Sequence, residues 1–282
     1  MRNNRQIIEE FRANNGRVGG DWQSTRLLLL TTTGAGSDFS HTVPIRYLPD
    51  GGGRVLVVAS AGGSPRHPAW FTDLVARPRV VVEDGVFVYD AEATVLTGAE
   101  RDAAFARAVE VDPGWGVDQR STARVIPVVA LRRLAPGPPK ASSPGAGLCL
   151  VHDAFRRELR LVRDEVARSG SVLGAQLRMN CLTLCHGLDT HHRTEDARMF
   201  AFPGVDDPEL ARTLARVRVE HDAMAALLDR LRAAVNSGAR DLLTTVDQLV
   251  AELESHLDFE ERELVPLLDA PERHRLVPGS AP

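Results

Sequence analysis

Four histidines fall on apolar helical stripes of this chain. His152 fills the gap in the series Leu148, Phe155, Leu159; His191 follows Leu184 and Leu188; His221 lies between Val217 and Leu228; His256 follows Leu249 and Leu253. Two of them have a carboxylate one turn later, Glu195 after His191 and Glu260 after His256. Residues four apart share a helix face, so each glutamate points the way its stripe points. A buried, ionised carboxylate needs a charge partner or a metal to offset a desolvation cost on the order of several kcal/mol. Neutral imidazoles and carboxylates together suit divalent iron. A lone histidine on an apolar face is ordinarily a satisfied core residue. Four on four stripes, two with a paired glutamate, point to a metal site. In the run "DTHHRTED" at 189–196, His191 and Glu195 are then the metal pair. His192 lies about 100° around the helix and His186 about 140° away; both are read as outward-facing, with either as the lesser candidate for a missing ligand and His192 with Asp196 a surface or supporting pair.

The stripes define the elements that must carry these residues. Helical periodicity of about 3.6 predicts helices over roughly 148–168, 171–200, 207–236 and 239–268, and four such helices with short connections predict an up-down-up-down bundle. Residues 132–147, "RRLAPGPPKASSPGAG", are rich in Pro, Gly, Ser and Ala and carry no apolar period; such a run reads as a linker. Before it the pattern is mainly β: 25–34, 41–50, 53–60, 79–96 and 123–134 are rich in Val, Ile, Leu and Thr. "PDGGGR" and "EDGVF" are turn sequences, and short helices fit the start of the chain, 67–78 and 98–113. Five or six strands with few helices predict a small β-barrel. The expected organisation is multidomain: a split β-barrel at 1–134, a linker at 135–147 and an all-α four-helix bundle at 148–272.

The 282 residues carry 34 Lys and Arg against 38 Asp and Glu, a formal charge of −4. That balance gives no electrostatic case for nucleic acid or anionic membrane as main partner. "LLLL" at 27–30 is too short to span a bilayer. The polar N-terminus lacks a secretory core. Cys149, Cys181 and Cys185 show no paired spacing, which suggests reduced thiols in a cytoplasmic protein.

The C-terminal half resembles the hemerythrin-like HHE cation-binding family on "VHDAFRREL", "CHGLDTHHRTEDARMF", "VEHDAMAALLDRL" and "ESHLDFEERELVPLL". The resemblance implies a non-heme centre of two irons per chain with bridging carboxylates. It carries the ligand role to His152, His191, Glu195, His221 and His256, with Glu260 or Glu261 as the last carboxylate. Oxygen-carrying members have a further histidine four residues after the one at His221. Here that position is Ala225, which implies a site one imidazole short and a centre that reacts or senses rather than carries oxygen.

Residues 5–131 resemble the deazaflavin (F420)-dependent nitroreductase family on "FRANNGRVGGDW", "LLLLTTTG", "PIRYLPDGG" and "LVVASAGGSPRHPAWFTDLVARPRVVVE". That family implies a split barrel using coenzyme F420 or another flavin to reduce nitro compounds or quinones. Pro44, Ser60, Gly62, Gly63 and Trp70 are the expected pocket positions; no catalytic residue is assigned. Where the family carries basic residues this chain has Ala35, Gly36, His41 and Ala61. The expectation is an oxidoreductase acting on a small-molecule redox substrate or diatomic gas, with a homodimer as candidate assembly. The alternative is a sensor of O2, NO or iron whose barrel is a docking scaffold.

Overall fold

The computed structural model describes residues 3–135, 139–169, 173–199, 208–238 and 242–270. Parts of the expected linker (136–138), the first two residues and the last residues of the expected bundle (271–272) lie outside them. The chain divides into two compact units, 1–140 with 174–180 and 141–173 with 181–282.

Six antiparallel strands close the barrel of the first unit: β1 (Leu27–Thr33), β2 (Ser40–Pro49), β3 (Arg54–Val58), β4 (Arg79–Asp84), β5 (Phe87–Val95) and β6 (Val128–Arg133). Around the barrel the order is β1-β2-β3-β6-β5-β4. Glycines at positive φ make the tight hairpins, Gly51, Gly52 and Gly53 between β2 and β3 and Gly85 between β4 and β5. "LLLL" is continuous because both faces of β1 are covered. Leu28 and Leu30 enter the barrel cluster with Val57, Val82 and Val129. Leu27 and Leu29 pack under α1 (Asn4–Ala13) against Ile7 and Phe11. β3 and β6 divide in the same way, their outer residues Leu56, Val58, Val128 and Ala130 meeting Phe105 and Trp115. These come from α3 (Gly98–Val111) and α4 (Pro113–Arg120). The sequence reading missed α4, although Asp112 is an N-cap accepting from the Gly114 amide at 2.8 Å and Pro113 opens the helix. α2 (Ala69–Ala76) inserts Trp70, Phe71 and Leu74 into the barrel cluster.

The second unit is built from α5 (Pro144–Ser169), the part of α6 (Ala175–Met199) that starts at Cys181, α7 (Pro208–Ser237) and α8 (Leu242–Leu268). α8 packs against both α5 and α7. Layers of buried side chains set the rotation of each helix: Leu159, Val162 and Val166; Leu184, Cys185 and Leu188; Val217, Met224 and Leu228; Leu249, Leu253 and Leu257.

Leu30 is fully buried while Val75 is 58% exposed. Leu30→Ala should destabilise the barrel by about 2–5 kcal/mol through lost burial and a residual cavity, and Val75→Ala by under about 0.5 kcal/mol. Urea denaturation followed by tryptophan fluorescence checks this, since Trp70 sits in the same cluster.

Candidate metal centre and the barrel loop

Five imidazoles and two carboxylates converge inside the bundle. Their donor atoms form two groups, His192 with His221 and His256, and His152 with His191, Glu195 and Glu260. Each carboxylate offers one oxygen to each group. Glu195 Oε1 lies 3.3 Å from His191 Nε2 and 3.9 Å from His152 Nε2, and Glu195 Oε2 lies 3.6 Å from His221 Nε2. Glu260 Oε2 lies 3.4 Å from His152 Nε2, and Oε1 lies 3.0 Å from His221 Nε2 and 3.4 Å from His256 Nε2. Both carboxylates thus stand between the groups, as bridging ligands would.

Most of these donors have no protein partner. The Nε2 atoms of His152, His191, His192 and His256, both oxygens of Glu195 and Oε2 of Glu260 are buried without a hydrogen bond. Buried polar atoms are normally satisfied, and a cluster of lone pairs aimed at one volume is what a bound cation would satisfy. The opposite ring nitrogens are held. Nδ1 of His152 donates to Glu261 at 2.9 Å, Nδ1 of His221 to Asp196 at 2.9 Å and Nδ1 of His256 to Glu220 at 3.0 Å. A carboxylate on Nδ1 fixes the tautomer and turns the Nε2 lone pair toward the site. Arg156 in turn donates to Glu261 and Asp258 at 2.7 Å each.

The electrostatics match a neutral-imidazole donor set. Burial, with opposing help from Glu260, pushes His152 down to about 4. Burial and the neighbouring imidazoles push His192 down to about 2 and His191 well below its usual value. Burial and the nearby Glu260 charge raise Glu195 well above the usual carboxylate range. Burial alone would lower His221, but its hydrogen bonds and charge interactions with Glu260 and Asp196 outweigh that and raise it. Two negative groups side by side in a dry core are unfavourable unless a counter-charge joins them.

Two details depart from the sequence reading, and a third separates alternatives it left open. His192 is buried, not outward-facing, and its ring stacks on His221 at 4.5 Å and 17°. The stripe of α6 runs through Leu177, Cys181, Leu184 and Leu188, whose mean direction lies about midway between His191 and His192, about 50° from each. Centring it on His191 alone put His192 on the wrong face. Ala225 is exposed, because the buried stripe of α7 passes through Val217, Met224 and Leu228 on the other side of His221; it does not border the donors. Glu261 faces His152 Nδ1 and Arg156, while the fully buried Glu260 stands among the Nε2 atoms. Relative to His256, a residue four later is turned about 40° and one five later about 140°. His186 is exposed, and Asp196 supports His221.

The barrel positions behave differently. Trp70 is part of the core. Gly63 (φ 73°) packs against α4: a Cβ there would meet Ser121 Cβ at 2.9 Å and the Asp118 carbonyl oxygen at 3.0 Å. Gly62 (φ 62°) is open, with nothing within 4 Å of a Cβ. Pro44 is half-buried on β2 opposite Leu29, and Ser60 is half-buried. Arg124, which sequence reasoning overlooked, holds this loop by donating to the carbonyls of Ala59 (3.1 Å), Ser60 (2.5 Å) and Ser64 (2.8 Å). At the β1–β2 turn the polar groups are used internally. Asp73 accepts from the Ala35 amide at 2.9 Å and from Thr32 Oγ1 at 3.2 Å, and Arg77 pairs with Asp38 at 3.0 Å.

Gly63→Ala should therefore destabilise the barrel more than Gly62→Ala. Both pay about 1–2 kcal/mol for a left-handed non-glycine residue, and only the first also collides with α4. Paired urea unfolding curves measure the difference, and equal losses would refute the close approach.

The metal-free bundle should also respond to acid. His152, His191 and His192 have lowered folded pKa values, so below the unfolded value of about 6.5 the unfolded chain binds more protons and their stability contribution is lost as pH falls. Glu195 is raised and works in the opposite sense over the same range. His221 is also raised, but a raised ring changes its contribution mainly above the unfolded value, so below about 6.5 the three lowered rings outweigh the two opposing groups, and in excess chelator the melting temperature should fall from about pH 6 to about pH 5. Glu195→Gln should steepen the fall. Circular dichroism melts at stepped pH read this directly; a flat profile would mean the rings are not buried neutral.

Among the described residues no helix is long and apolar enough to cross a membrane. Residues 3–133 match the F420H(2)-dependent quinone reductase family, and residues 148–268 match the hemerythrin HHE cation-binding domain. A putative F420H(2)-dependent quinone reductase of Mycobacterium bovis is 34% identical over 129 residues, covering 44% of this chain and 85% of the relative. An F420H(2)-dependent quinone reductase of Mycobacterium tuberculosis matches to the same extent. A solved F420-H2 dependent reductase is 39% identical over 38% of this chain and 94% of its own, with a TM-score of 0.36. The chain belongs to the F420H(2)-dependent quinone reductase family through its barrel, and it carries a hemerythrin HHE cation-binding domain in its helical part.

Proposed function

We propose that the chain is an oxidoreductase whose bundle holds two non-heme irons and whose barrel takes reduced F420 or a related flavin. The observation that carries the metal half is the set of buried donors without partners, arranged with two carboxylates between two groups of imidazoles. His152, His191, Glu195, His221, His256 and Glu260 would hold the metal; Glu261, Asp196 and Glu220 would orient the rings. Such a centre, when loaded, supplies a binding place for O2, peroxide or nitrogen oxides. The family supports F420 for the barrel. The turn where relatives carry basic residues is a poor cradle for an anionic tail here, since Arg77 is paired to Asp38 and Asp73 takes the Ala35 amide. We therefore assign no hydride-transfer residue. The same feature favours a second reading, an iron-based sensor of O2 or NO with a barrel that serves as a docking scaffold.

Iron analysis and F420 fluorescence titration on the same preparation separate the two. Two irons with saturable F420 binding support the oxidoreductase; two irons with no F420 binding support the sensor. His191→Ala with Glu195→Ala should abolish stoichiometric iron. Ala35→Arg, Gly36→Lys and Ala61→Lys combined should tighten F420 at least tenfold, because each charge-assisted hydrogen bond contributes roughly 1.5–3 kcal/mol before ordering costs. Ala61 already sits at φ 50°, so lysine there adds no new backbone strain. Tight F420 binding by the unaltered protein with no gain in a folded variant would overturn this account of the turn.

A further inference from the structure

We propose that His192 is a metal ligand, the fifth imidazole of the centre, completing a three-histidine position with His221 and His256, so that the adjacent His191 and His192 of one helix serve two different metal positions. The inference rests on the dimetal reading above and assigns to this residue a role that the sequence stripe had ranked second.

Three observations carry it. His192 is 5% exposed and its Nε2 is buried without a hydrogen-bond partner. One of its ring nitrogens lies in one group with donor atoms of His221 and His256, all within 4.8 Å of one another. Its ring stacks on His221 and meets His256 edge-on at 5.1 Å. A core histidine kept only for packing would place its ring nitrogens on partners; here Nε2 faces two other imidazoles that have carboxylates on their far nitrogens. The helical geometry explains how neighbours in sequence can divide. Consecutive residues are about 100° apart, and Glu195 lies between them, about 40° from His191 and about 60° from His192. Glu195 shows its two oxygens to the two sides in the same order, Oε1 toward His191 and Oε2 toward His221. α6 therefore presents imidazole, carboxylate and imidazole as one rigid row across both positions. The exposed Ala225 on α7 leaves that helix a single histidine, and α6 supplies the other. The coordination place that Ala225 seemed to leave open is thereby filled, and the less saturated position is the one bounded by His152 and His191.

Cobalt(II) titration of the metal-free full chain tests this, with visible absorption reporting coordination. The unaltered protein should take up two equivalents. His192→Gly should weaken one of the two binding steps at least tenfold and change the visible bands of that step. Free imidazole at millimolar concentration should restore both, by occupying the vacated space. His192→Gln, which fills the space, guards against a glycine variant that fails to fold; it should show the same weakened step without rescue. His186→Ala, at an exposed position, should behave as the parent. Two equivalents bound with parental affinity and spectrum in a folded His192 variant would overturn the proposal while leaving the dimetal reading intact. No cobalt uptake by the unaltered protein would overturn both.

Discussion

Glu260 carries no exposed surface, and its two oxygens face imidazoles from three helices. A carboxylate in that position cannot be solvated, and one further negative group, Glu195, stands on the same donors. The rest of the bundle is arranged around this constraint. Leucine layers on α6 and α8 fix the rotation of the helices that carry the glutamates. An outer ring of carboxylates on Nδ1 keeps three imidazoles from turning their protonated edges inward. A bundle of this length could bury leucine at every one of these places and be more stable as a free chain. Retaining seven polar groups there has a physical rationale only if something positive joins them.

The barrel obeys the opposite rule. Its conspicuous polar residues are satisfied within the protein: Arg124 on three carbonyls of one loop, Asp73 on an amide and a hydroxyl. No comparable set of unsatisfied donors marks a cofactor place among its described residues. Family membership and local geometry therefore carry different weight in the two units. In the barrel the family is the stronger statement; in the bundle the geometry stands without it.

The legibility of the sequence follows the same division. Strand and helix positions were readable wherever a period was clean, as in "LLLLTTT" and the four long helices. α4 was overlooked because its glycines and polar residues mask a helix announced by Asp112 and Pro113. The face of buried donors was readable on α5, α7 and α8, where one histidine sits inside a run of leucines and valines. It failed on α6 because two histidines straddle the centre of the stripe, and a stripe drawn through either one excludes the other. For Trp70 and Gly63 a motif says that a residue belongs to a pattern, not what it touches; the neighbours, the barrel cluster for Trp70 and α4 for Gly63, add that.

Charge gives a last check on the proposed pair of divalent ions. Five neutral imidazoles contribute nothing, and Glu195 and Glu260 offset half of the four positive charges. The carboxylates on the ring nitrogens, Glu261, Asp196 and Glu220, bring three more negative charges. Their own hydrogen-bonded partners are Arg156, which also holds Asp258, and Arg216, which donates to Glu220 at 3.0 Å. With all of these ionised, the two arginines and the four outer carboxylates sum to minus two, which cancels the residual charge of the inner set. The hydrogen-bonded network is therefore neutral with two divalent ions and strongly negative without them. A single ion would leave it two charges short, so the second ion should bind into a field that still attracts it. Only the inner donors sit in a core whose low polarity makes an imbalance expensive; Asp258 and Arg216 are mostly exposed and screened, so the outer ring bears on the number of metals chiefly through Glu261, Asp196 and Glu220, which touch the ligand rings.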